Sequence, residues 1–471
     1  MTADILNLGL TEVAAAIRRK KLSAVEVTRA CIAQAERVQP VLNCFISLEA
    51  EAALKAARQA DRALRGRGAR LGVLHGVPLA HKDMYYRKGK ITTGGSKILR
   101  NYRPDITATV VERMQRAGAV WLGNLNMAEF AANPTGHNDH FGHCRNPWNT
   151  EHISGGSSSG SGVAVAARAC YGSLGSDTGG SVRLPAAANG VVGLKPTYGR
   201  ISRHGIMPRS WSLDTVGPLT RTVADCAKLM KIIAGADAND TTCSAEKVPD
   251  YEKALTGCIR GLKIGMPLNH YYEEATDDVR RCMSASLDVL KSLGARIVEL
   301  KVPDPQRLFD LSNAITQVES AAIHGRWMRE RPQDYSLMML ARTEPGFHLP
   351  ATVYLQALNA RLRLSAEFIE TVFSKVDVLH APVMPMPVPT IAETTPRQAG
   401  DVQPMIRRLT RNNRPANFLG VPSLSVPAGF SANGLPVAFQ LMGRPFSEAL
   451  LFQIGDAYQR VTDWHERAPQ I

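Results

Sequence analysis

The sequence lacks the features that would anchor it in a membrane or export it. No apolar run approaches the roughly 20 residues that cross a bilayer, so we predict neither a transmembrane helix nor a membrane partner. The N-terminal segment Met1–Leu10 has no basic stretch followed by an apolar one, which argues against a secretory signal peptide. The eight cysteines are scattered without a C-x-x-C pair, a pattern typical of reduced thiols rather than of disulfides or a zinc ribbon. We therefore expect a cytoplasmic protein.

The amino-acid composition is typical of a folded protein. Hydrophobic residues make up 44% and charged residues 21% of the 471 positions, which excludes a disordered chain. The formal net charge is +14, but the basic residues are dispersed apart from short clusters at Arg18–Lys21 and Arg407–Arg414. We attribute the charge to a solvated surface and do not expect a nucleic acid partner.

Periodicity divides the chain into a helical start and a longer region in which strands alternate with helices. Ser23 followed by Glu26 is a capping box that begins a helix. Other helices are predicted over 11–20, 49–65, 109–117, 161–169, 223–234 and most of 305–375. From Leu71 onward, short apolar runs between the helices are typical of an α/β fold. We predict one large domain whose central sheet is twisted, mixed and mostly parallel, with helices covering both faces.

A Gly- and Ser-rich segment, Ser154–Gly162, leads directly into the helix former Val163–Arg168. A tight loop before a helix exposes backbone N–H groups, which favours binding of negative charge. A phosphate-binding loop is one interpretation, but the Gly-Lys-Ser/Thr ending of a P-loop and the G-x-G-x-x-G pattern are both missing. A flexible linker would not interrupt a regular strand–helix pattern. The density of serine indicates hydroxyl chemistry instead.

A second glycine-rich segment, Gly175–Arg183, contains the run Thr178-Gly-Gly-Ser181. Small side chains there let several N–H groups converge on one point, as an oxyanion hole requires. Ser181 is a candidate nucleophile, but a serine hydroxyl needs an adjacent base. Neither a G-x-S-x-G motif nor a recognisable histidine triad supplies one.

A third segment, Gly76–Ala80, is an apolar run that continues into His81, Lys82 and Asp83. Burial lowers the pKa of a lysine, and a neutral amine can serve as a base. An exposed lysine paired with Asp83 is the simpler interpretation of this segment taken alone.

Together these three segments resemble the amidase signature family of serine hydrolases. The family pattern is G-[VL]-P-x-x-x-K-[DE], then a Gly-Gly-Ser-Ser stretch, then G-[ST]-D-x-G-G-S-[IV]-R, and all three occur here in that order. The resemblance covers essentially the whole chain and is most specific over residues 71–235. It implies a single amidase signature domain over 1–471. Its parts would be a helical N-terminal cap (1–68), a signature core (71–235) and a variable, substrate-facing helical region (300–410).

The resemblance also implies a role for each site residue. Ser181 would form the acyl-enzyme, Lys82 would be the base, and Ser157, on a cis peptide bond, would carry the proton between them. The oxyanion hole would consist of the backbone N–H groups of Thr178, Gly179, Gly180 and Ser181. The residues expected to orient these groups are Ser158, Asp177 and Arg183. The residues expected to line the acyl pocket are Phe130, Ala131, Ala132 and Asn133.

The activity implied is hydrolysis of a carbon–nitrogen amide-type bond in a small molecule, without metal or cofactor and with a homodimer plausible. One alternative is the glutaminase subunit of a tRNA-dependent amidotransferase. For that alternative we would expect an acidic residue shortly before Pro415–Asn417, where the sequence has only Thr410-Arg-Asn-Asn-Arg414. A second alternative is a urea- or carbamate-type hydrolase such as allophanate hydrolase. A non-catalytic binding protein is disfavoured, because none of the three catalytic positions is lost.

Two further groups of residues are candidate ligand-binding sites. The loop residues His137, His140, His143 and Cys144 suggest a zinc site, but the family needs no metal, and we favour a loop packed beside the active site. The variable region contains arginines that can bind a substrate carboxylate, although solvated helix faces are expected for most of them. These are Arg326, Arg329, Arg342, Arg361 and Arg363.

Overall fold

The computed structural model describes residues 2–66 and 71–471, which contain eleven β-strands. The strands are β1 (Phe45–Leu48), β2 (Pro78–Lys82), β3 (Val120–Leu125), β4 (Ser173–Asp177), β5 (Val192–Lys195), β6 (Thr215–Thr220), β7 (Lys263–Pro267), β8 (Arg296–Leu300), β9 (Val378–Pro382), β10 (Ser423–Phe430) and β11 (Pro436–Gly443). Eight of them form a large sheet in the order β4-β6-β5-β10-β11-β9-β7-β8, and the other three form a small sheet in the order β1-β3-β2.

Sixteen α-helices surround these sheets in the described part of the chain. They are α1 (Thr2–Asn7), α2 (Leu10–Arg18), α3 (Ala24–Leu42), α4 (Ala50–Arg65), α5 (Thr109–Arg116), α6 (Ser159–Ala166), α7 (Arg183–Asn189), α8 (Val223–Ile233), α9 (Asp277–Ser292), α10 (Pro305–Glu330), α11 (Leu337–Thr343), α12 (Ala351–Phe373), α13 (Ile391–Thr394), α14 (Val402–Thr410), α15 (Arg414–Leu419) and α16 (Glu448–Gln459). Within residues 2–66 and 71–471, none of these helices has the length and hydropathy to cross a bilayer. All eight cysteines are free thiols.

The predicted single-domain α/β fold with a mixed sheet flanked by helices is confirmed, but the expected majority of parallel strands is wrong. Among the described residues, five of the seven pairings in the large sheet are antiparallel. The two parallel pairings described in this sheet are those of β7 with β8 and with β9, and in the small sheet β2 pairs in parallel with β3. A parallel pair needs a crossover connection, usually a helix, and β7–α9–β8 is such a unit. Elsewhere a hairpin joins β10 to β11 and a long loop brings β6 back antiparallel beside β5.

The N-terminal region follows its predicted helices closely and adds one strand. The capping box forms, because Ser23 Oγ accepts from the Glu26 amide at 3.0 Å and the Glu26 carboxylate accepts from the Ser23 amide at 2.8 Å. The expected all-helical cap also contains β1, which pairs antiparallel with β3 and so ties the cap to the small sheet. Residues 67 and 68 of the expected cap lie outside the described residues.

Helix α6 lies between the two sheets, where it contacts β2, β3, β4 and β6. All eight of its residues are buried, and small side chains let the neighbouring backbone approach closely. A Cβ on Gly160 would lie 2.4 Å from the Cys44 carbonyl oxygen, so this position requires glycine. The close packing brings the loop before α6 next to the ends of β2 and β4.

Candidate active site

Lys82 is the last residue of β2 and is 1% exposed. Its Nζ donates to Ser157 Oγ at 2.7 Å and to Ser176 Oγ at 2.8 Å. Burial lowers the pKa of the Lys82 ammonium from 10.5 to about 7, and the charges of Asp214 and Asp177 only partly oppose that shift. A substantial fraction of this amine is therefore neutral near pH 7, and both of its hydrogen bonds are with hydroxyls.

Asp83 does not pair with the neighbouring lysine. Its carboxylate accepts from the Thr93 amide at 2.9 Å, from the Thr93 hydroxyl, and from Asn124 Nδ2 at 2.7 Å. Burial raises the pKa of Asp83 to about 7, against the effect of these hydrogen bonds. The simpler interpretation of this segment, an exposed Lys82–Asp83 ion pair, is thus wrong, since both side chains are 1% exposed and belong to different networks.

The loop before α6 carries Ser157 and Ser158, which are fully buried. The Gly156–Ser157 peptide bond is cis, as the family resemblance implies. The Ser158 amide donates to the Ser181 carbonyl at 3.3 Å, and Ser158 Oγ accepts from the Ser176 amide at 3.2 Å. Ser158 therefore joins its loop to β4 and to the loop that carries Ser181.

Ser181 lies between β4 and α7 and is 9% exposed. It lines a cavity, and its hydroxyl makes no hydrogen bond to any described residue, Ser157 included. Catalytic hydrogen bonds are often long or poorly aligned before substrate binds. The structure thus brings together Lys82 and Ser157 by a direct contact, and it places Ser181 beside them on the adjoining loop.

The four backbone amides expected in the oxyanion hole differ in availability. Gly180 N–H already donates to Asp177 Oδ1 at 2.8 Å. The amides of Thr178, Gly179 and Ser181 have no partner among the described residues and remain available. Gly180 adopts a φ of 121°, which favours glycine and allows the chain to turn sharply there.

A buried ion pair supports this loop from below. Arg183 donates from Nε and Nη2 to the two carboxylate oxygens of Asp177, each at 3.1 Å, and both side chains are fully buried. Asn417 and Gln440 complete the hydrogen bonding at 2.9 Å or less. Although burial opposes ionisation, the charge of Arg183 and these hydrogen bonds hold the pKa of Asp177 well below its usual range.

The cavity beside Ser181 is lined on one side by Ala131 and Asn133. The other two residues of the expected acyl pocket do not line it. Phe130 packs its ring against His324, with ring centroids 4.5 Å apart, and Ala132 presents its carbonyl oxygen to Arg342. Ser176, the second partner of Lys82, lines a second cavity of about 230 Å³ together with Asp214.

The histidine-rich loop forms separate hydrogen bonds rather than a shared site. His137 Nε2 pairs with Thr394 Oγ1 at 2.9 Å, His140 Nε2 with Glu129 at 2.8 Å, and His143 Nδ1 with the Asn138 amide at 3.0 Å. Within the part of the chain that the structure describes, no three His, Cys, Asp or Glu side chains are arranged to hold a metal ion.

Several residues of the site were not predicted from the sequence. Ser176 lies one position before Asp177 on β4, a strand with no β-branched residue that sequence reasoning did not detect. Asp214 accepts from Thr178 Oγ1 at 2.5 Å and supports the loop from a distant segment. Arg209 and Arg414 line the cavity beside Ser181, and only knowledge of the tertiary fold places them there.

A family model supplies the deciding comparison, because the Amidase model matches residues 26–452. The protein belongs to the amidase signature family. Members of this family cleave carbon–nitrogen bonds, and this amidase is accordingly an amide-cleaving enzyme.

The chain is also similar to individual proteins of known name or structure. The amidase is 39% identical to the A subunit of glutamyl-tRNA(Gln) amidotransferase from Chloroflexus aurantiacus, an alignment that covers 99% of each chain. A second relative is a solved structure described as a vestigial protein complex that reveals the evolutionary origins of an s-triazine catabolic enzyme. The two chains are 34% identical with a TM-score of 0.89, and 96% of this chain and 98% of that one are covered. The amidase is 26% identical, with a TM-score of 0.90, to 6-aminohexanoate cyclic dimer hydrolase, with 99% of both chains covered. The similarity to the amidotransferase A subunit favours the glutaminase alternative over the free-standing hydrolase that the sequence analysis preferred.

Proposed function

We propose that this amidase hydrolyses a small-molecule amide through an acyl-enzyme on Ser181, with Lys82 as the base and Ser157 as the proton bridge. The observation that carries the proposal is the 2.7 Å hydrogen bond between Lys82 Nζ and Ser157 Oγ in a fully buried site. A lysine is a base only when neutral, and burial is what lowers its pKa to about 7.

The proton moves through two hydroxyls in the acylation step. Ser181 Oγ attacks the amide carbonyl and gives its proton to Ser157, which gives its own proton to neutral Lys82. Backbone amides of the 178–181 loop stabilise the oxyanion, an effect worth about 3 kcal/mol per donor in other hydrolases. The proton then returns through Ser157 to the leaving nitrogen as the carbon–nitrogen bond breaks. Water hydrolyses the acyl-enzyme, so amide and water give acid and amine.

Substrate-facing side chains in this proposal come from the core and from the variable region 300–410. Thr316 of α10, Arg342 of α11 and Thr410 of α14 line the cavity together with Ser181. The same three residues would also cleave the carbon–nitrogen bond of a urea or carbamate. A panel of amides, ureas and carbamates distinguishes these substrate classes. The homodimer and the cytoplasmic location remain predictions.

The test is to replace Ser181 with alanine and to measure ammonia or amine release from a panel of amides, ureas and carbamates. Activity should fall at least on the order of 10³-fold, because the nucleophile is lost. Ser161→Ala is the matched control, since Ser161 is a buried serine whose hydroxyl, among the described residues, hydrogen-bonds only to the Leu174 carbonyl, at 3.4 Å. Turnover by Ser181→Ala at the rate of this control would refute the proposal.

The second candidate function is that of the glutaminase component in a tRNA-dependent amidotransferase, and the 39% identical relative favours it. Glutamine carries an α-ammonium group, which a glutaminase pocket has to accommodate. No acidic side chain of the described residues lines the cavity beside Ser181, whereas three arginines do. We therefore place the free-standing hydrolase first. Glutamine hydrolysis that requires the other components of an amidotransferase would reverse this order.

A further inference from the structure

Three arginines from distant parts of the chain converge on the cavity beside the nucleophile. Arg209 comes from the loop between β5 and β6, Arg342 from α11, and Arg414 from the start of α15. Arg414 lies directly against the oxyanion loop, because a Cβ placed on Gly179 would be 3.5 Å from its guanidinium carbon. All three side chains are at least nine-tenths buried.

These guanidinium groups lack partners of opposite charge. None of the three forms an ion pair within 4 Å with a carboxylate of the described residues. Arg209 Nη2 and Arg414 Nη1 are buried without any hydrogen-bond partner. Burial lowers the pKa of Arg414 to about 10, and the charge of Arg209 lowers it in the same direction.

Such an arrangement destabilises the free protein. A buried charge costs a great deal of free energy unless it is paired, and like charges nearby add to that cost. Arg361 also forms no ion pair with a carboxylate of the described residues, but each of its guanidinium nitrogens has an acceptor. These are the carbonyls of Phe418 at 2.6 Å, Ser212 at 2.7 Å and Asn417 at 3.5 Å. The unpaired N–H groups of Arg209 and Arg414 therefore indicate a ligand that supplies the missing acceptors.

The cavity also limits what that ligand can be. Every charged side chain in its lining is an arginine, and the other lining side chains are small or carry hydroxyl or amide groups, so the lining favours an anionic group. A carboxylate presents two oxygens in the planar geometry that a guanidinium fork matches. An ammonium group beside that carboxylate would find no acidic partner in the lining.

We infer that Arg209, Arg342 and Arg414 form an anion subsite that binds a carboxylate of the substrate, and that this carboxylate has no neighbouring ammonium group. The substrate class is thus a monoamide of a dicarboxylic acid or a similar acid-bearing amide. This inference rests on the proposed function, because it names the substrate class of the same site.

A matched series of primary amides tests the inference. Pentanamide is neutral, glutaramate replaces its terminal methyl by a carboxylate, and glutamine adds an α-ammonium to glutaramate. Malonamate and succinamate shorten the spacing. We expect the best acid-bearing amide to exceed pentanamide in kcat/KM by on the order of 100-fold, and glutaramate to exceed glutamine. Equal kcat/KM for the acid-bearing amides and pentanamide, or a preference for glutamine over glutaramate, would overturn the inference.

Arginine variants provide a readout that a purely structural role would not produce. Arg414→Met and Arg209→Met should lower kcat/KM for the best acid-bearing amide by a much larger factor than they lower it for pentanamide. Their melting temperatures should stay equal or rise, because an unpaired buried charge is removed. Arg361→Met, the control, should lower the melting temperature and affect both substrates alike. Loss of stability in Arg414→Met, with equal loss on both substrates, would make Arg414 structural and contradict the subsite.

Binding to the Ser181→Ala variant separates this inference from the proposed function. Calorimetry with malonate, succinate and glutarate measures the subsite without any chemistry. Dicarboxylate binding that disappears in a Ser181→Ala/Arg414→Met double variant supports the subsite even if no amide is hydrolysed. Absence of binding, in a protein whose Ser181→Ala change abolishes amide hydrolysis, would refute the subsite and leave the proposed function intact.

Discussion

Asp177 and Arg183 form a bidentate ion pair, with both nitrogen–oxygen distances at 3.1 Å, across the loop that carries the nucleophile. Asp177 also accepts from the amides of Gly180 and Val182 at 2.8 and 3.1 Å. The pair therefore holds the two ends and the middle of the 178–182 loop in one conformation. This is the part of the chain whose amides are proposed to stabilise the oxyanion.

Breaking this pair should be costly. Asp177→Asn leaves a buried arginine without its countercharge, and loss of one partner of a buried pair costs about 3–5 kcal/mol. Chemical denaturation measures the change in the free energy of unfolding. Glu330→Gln, which disrupts the exposed Arg326–Glu330 pair at 2.8 Å, should change it by less than about 1 kcal/mol. Equal effects of the two variants would show that the buried pair does not support the loop.

The activity should depend on pH through Lys82. The base works only when neutral, and burial lowers its pKa to about 7, so kcat/KM should rise as pH increases through about 7 and then level off. Measurement of kcat/KM from pH 5 to 9 on the folded enzyme checks this. A profile that stays flat across that range would exclude Lys82 as the base.

The same lysine should limit stability. Its pKa is lower in the folded protein than in the unfolded chain, so between about pH 7 and 10.5 the unfolded chain binds more protons. The free-energy cost of burying Lys82 therefore falls, and the free energy of unfolding rises, as pH increases through that window. Lys82→Met should lose activity by on the order of 10²–10⁴-fold, yet it should be at least as stable as the wild type at pH 7. A melting temperature at pH 7 clearly below that of the wild type would contradict this account of the burial cost.

Ser176 should act as a positioning residue for the base. Lys82 Nζ donates to its hydroxyl at 2.8 Å, which favours the charged ammonium. Ser176→Ala should lower kcat about 10-fold and move the acid limb of the pH profile to lower pH. Ser173→Ala is the matched control on the same strand, since within the described part of the chain Ser173 Oγ hydrogen-bonds only to the Leu174 carbonyl, at 3.4 Å. A reduced kcat with an unshifted acid limb would assign Ser176 a packing role only.

The close packing of α6 leads to a stability prediction. A Cβ on Gly160 would meet backbone atoms at 2.4 and 2.6 Å, and overpacking of this kind typically costs about 1–3 kcal/mol. Gly160→Ala should therefore lower the free energy of unfolding by that amount. Gly400→Ala, at a position with no heavy atom within 4 Å of the added carbon, should have little effect. Equal stability of the two variants would show that the helix can shift to accept the methyl group.

Elements with a clear period or a clear cap could be predicted from the sequence. The Ser23 capping box and the β7–α9–β8 unit are examples, because local propensity and tertiary packing agree there. Strand β4, Ser-Leu-Gly-Ser-Asp, escaped prediction because it lacks β-branched residues and alternation. Its glycine has a tertiary reason: a Cβ on Gly175 would lie 2.5 Å from Ser158 Oγ.

The site was predictable only in part. Lys82, Ser157 and Ser181 could be proposed from the family resemblance, and no periodicity would have brought them together. Of the five arginines of the variable region considered as carboxylate ligands, only Arg342 lines the cavity. Arg209 and Arg414 could not be distinguished from other arginines, because their burial depends on contacts between segments far apart in the chain.

The rate of Ser181 sulfonylation tests the central claim most directly. Phenylmethylsulfonyl fluoride transfers its sulfonyl group to an activated serine with loss of fluoride, so the measurement requires no knowledge of the substrate. Mass spectrometry should find the adduct on the peptide that contains Ser181, forming faster as pH rises through about 7 and much more slowly in Lys82→Met. An adduct on another residue, or an equal rate in wild type and Lys82→Met, would contradict the account.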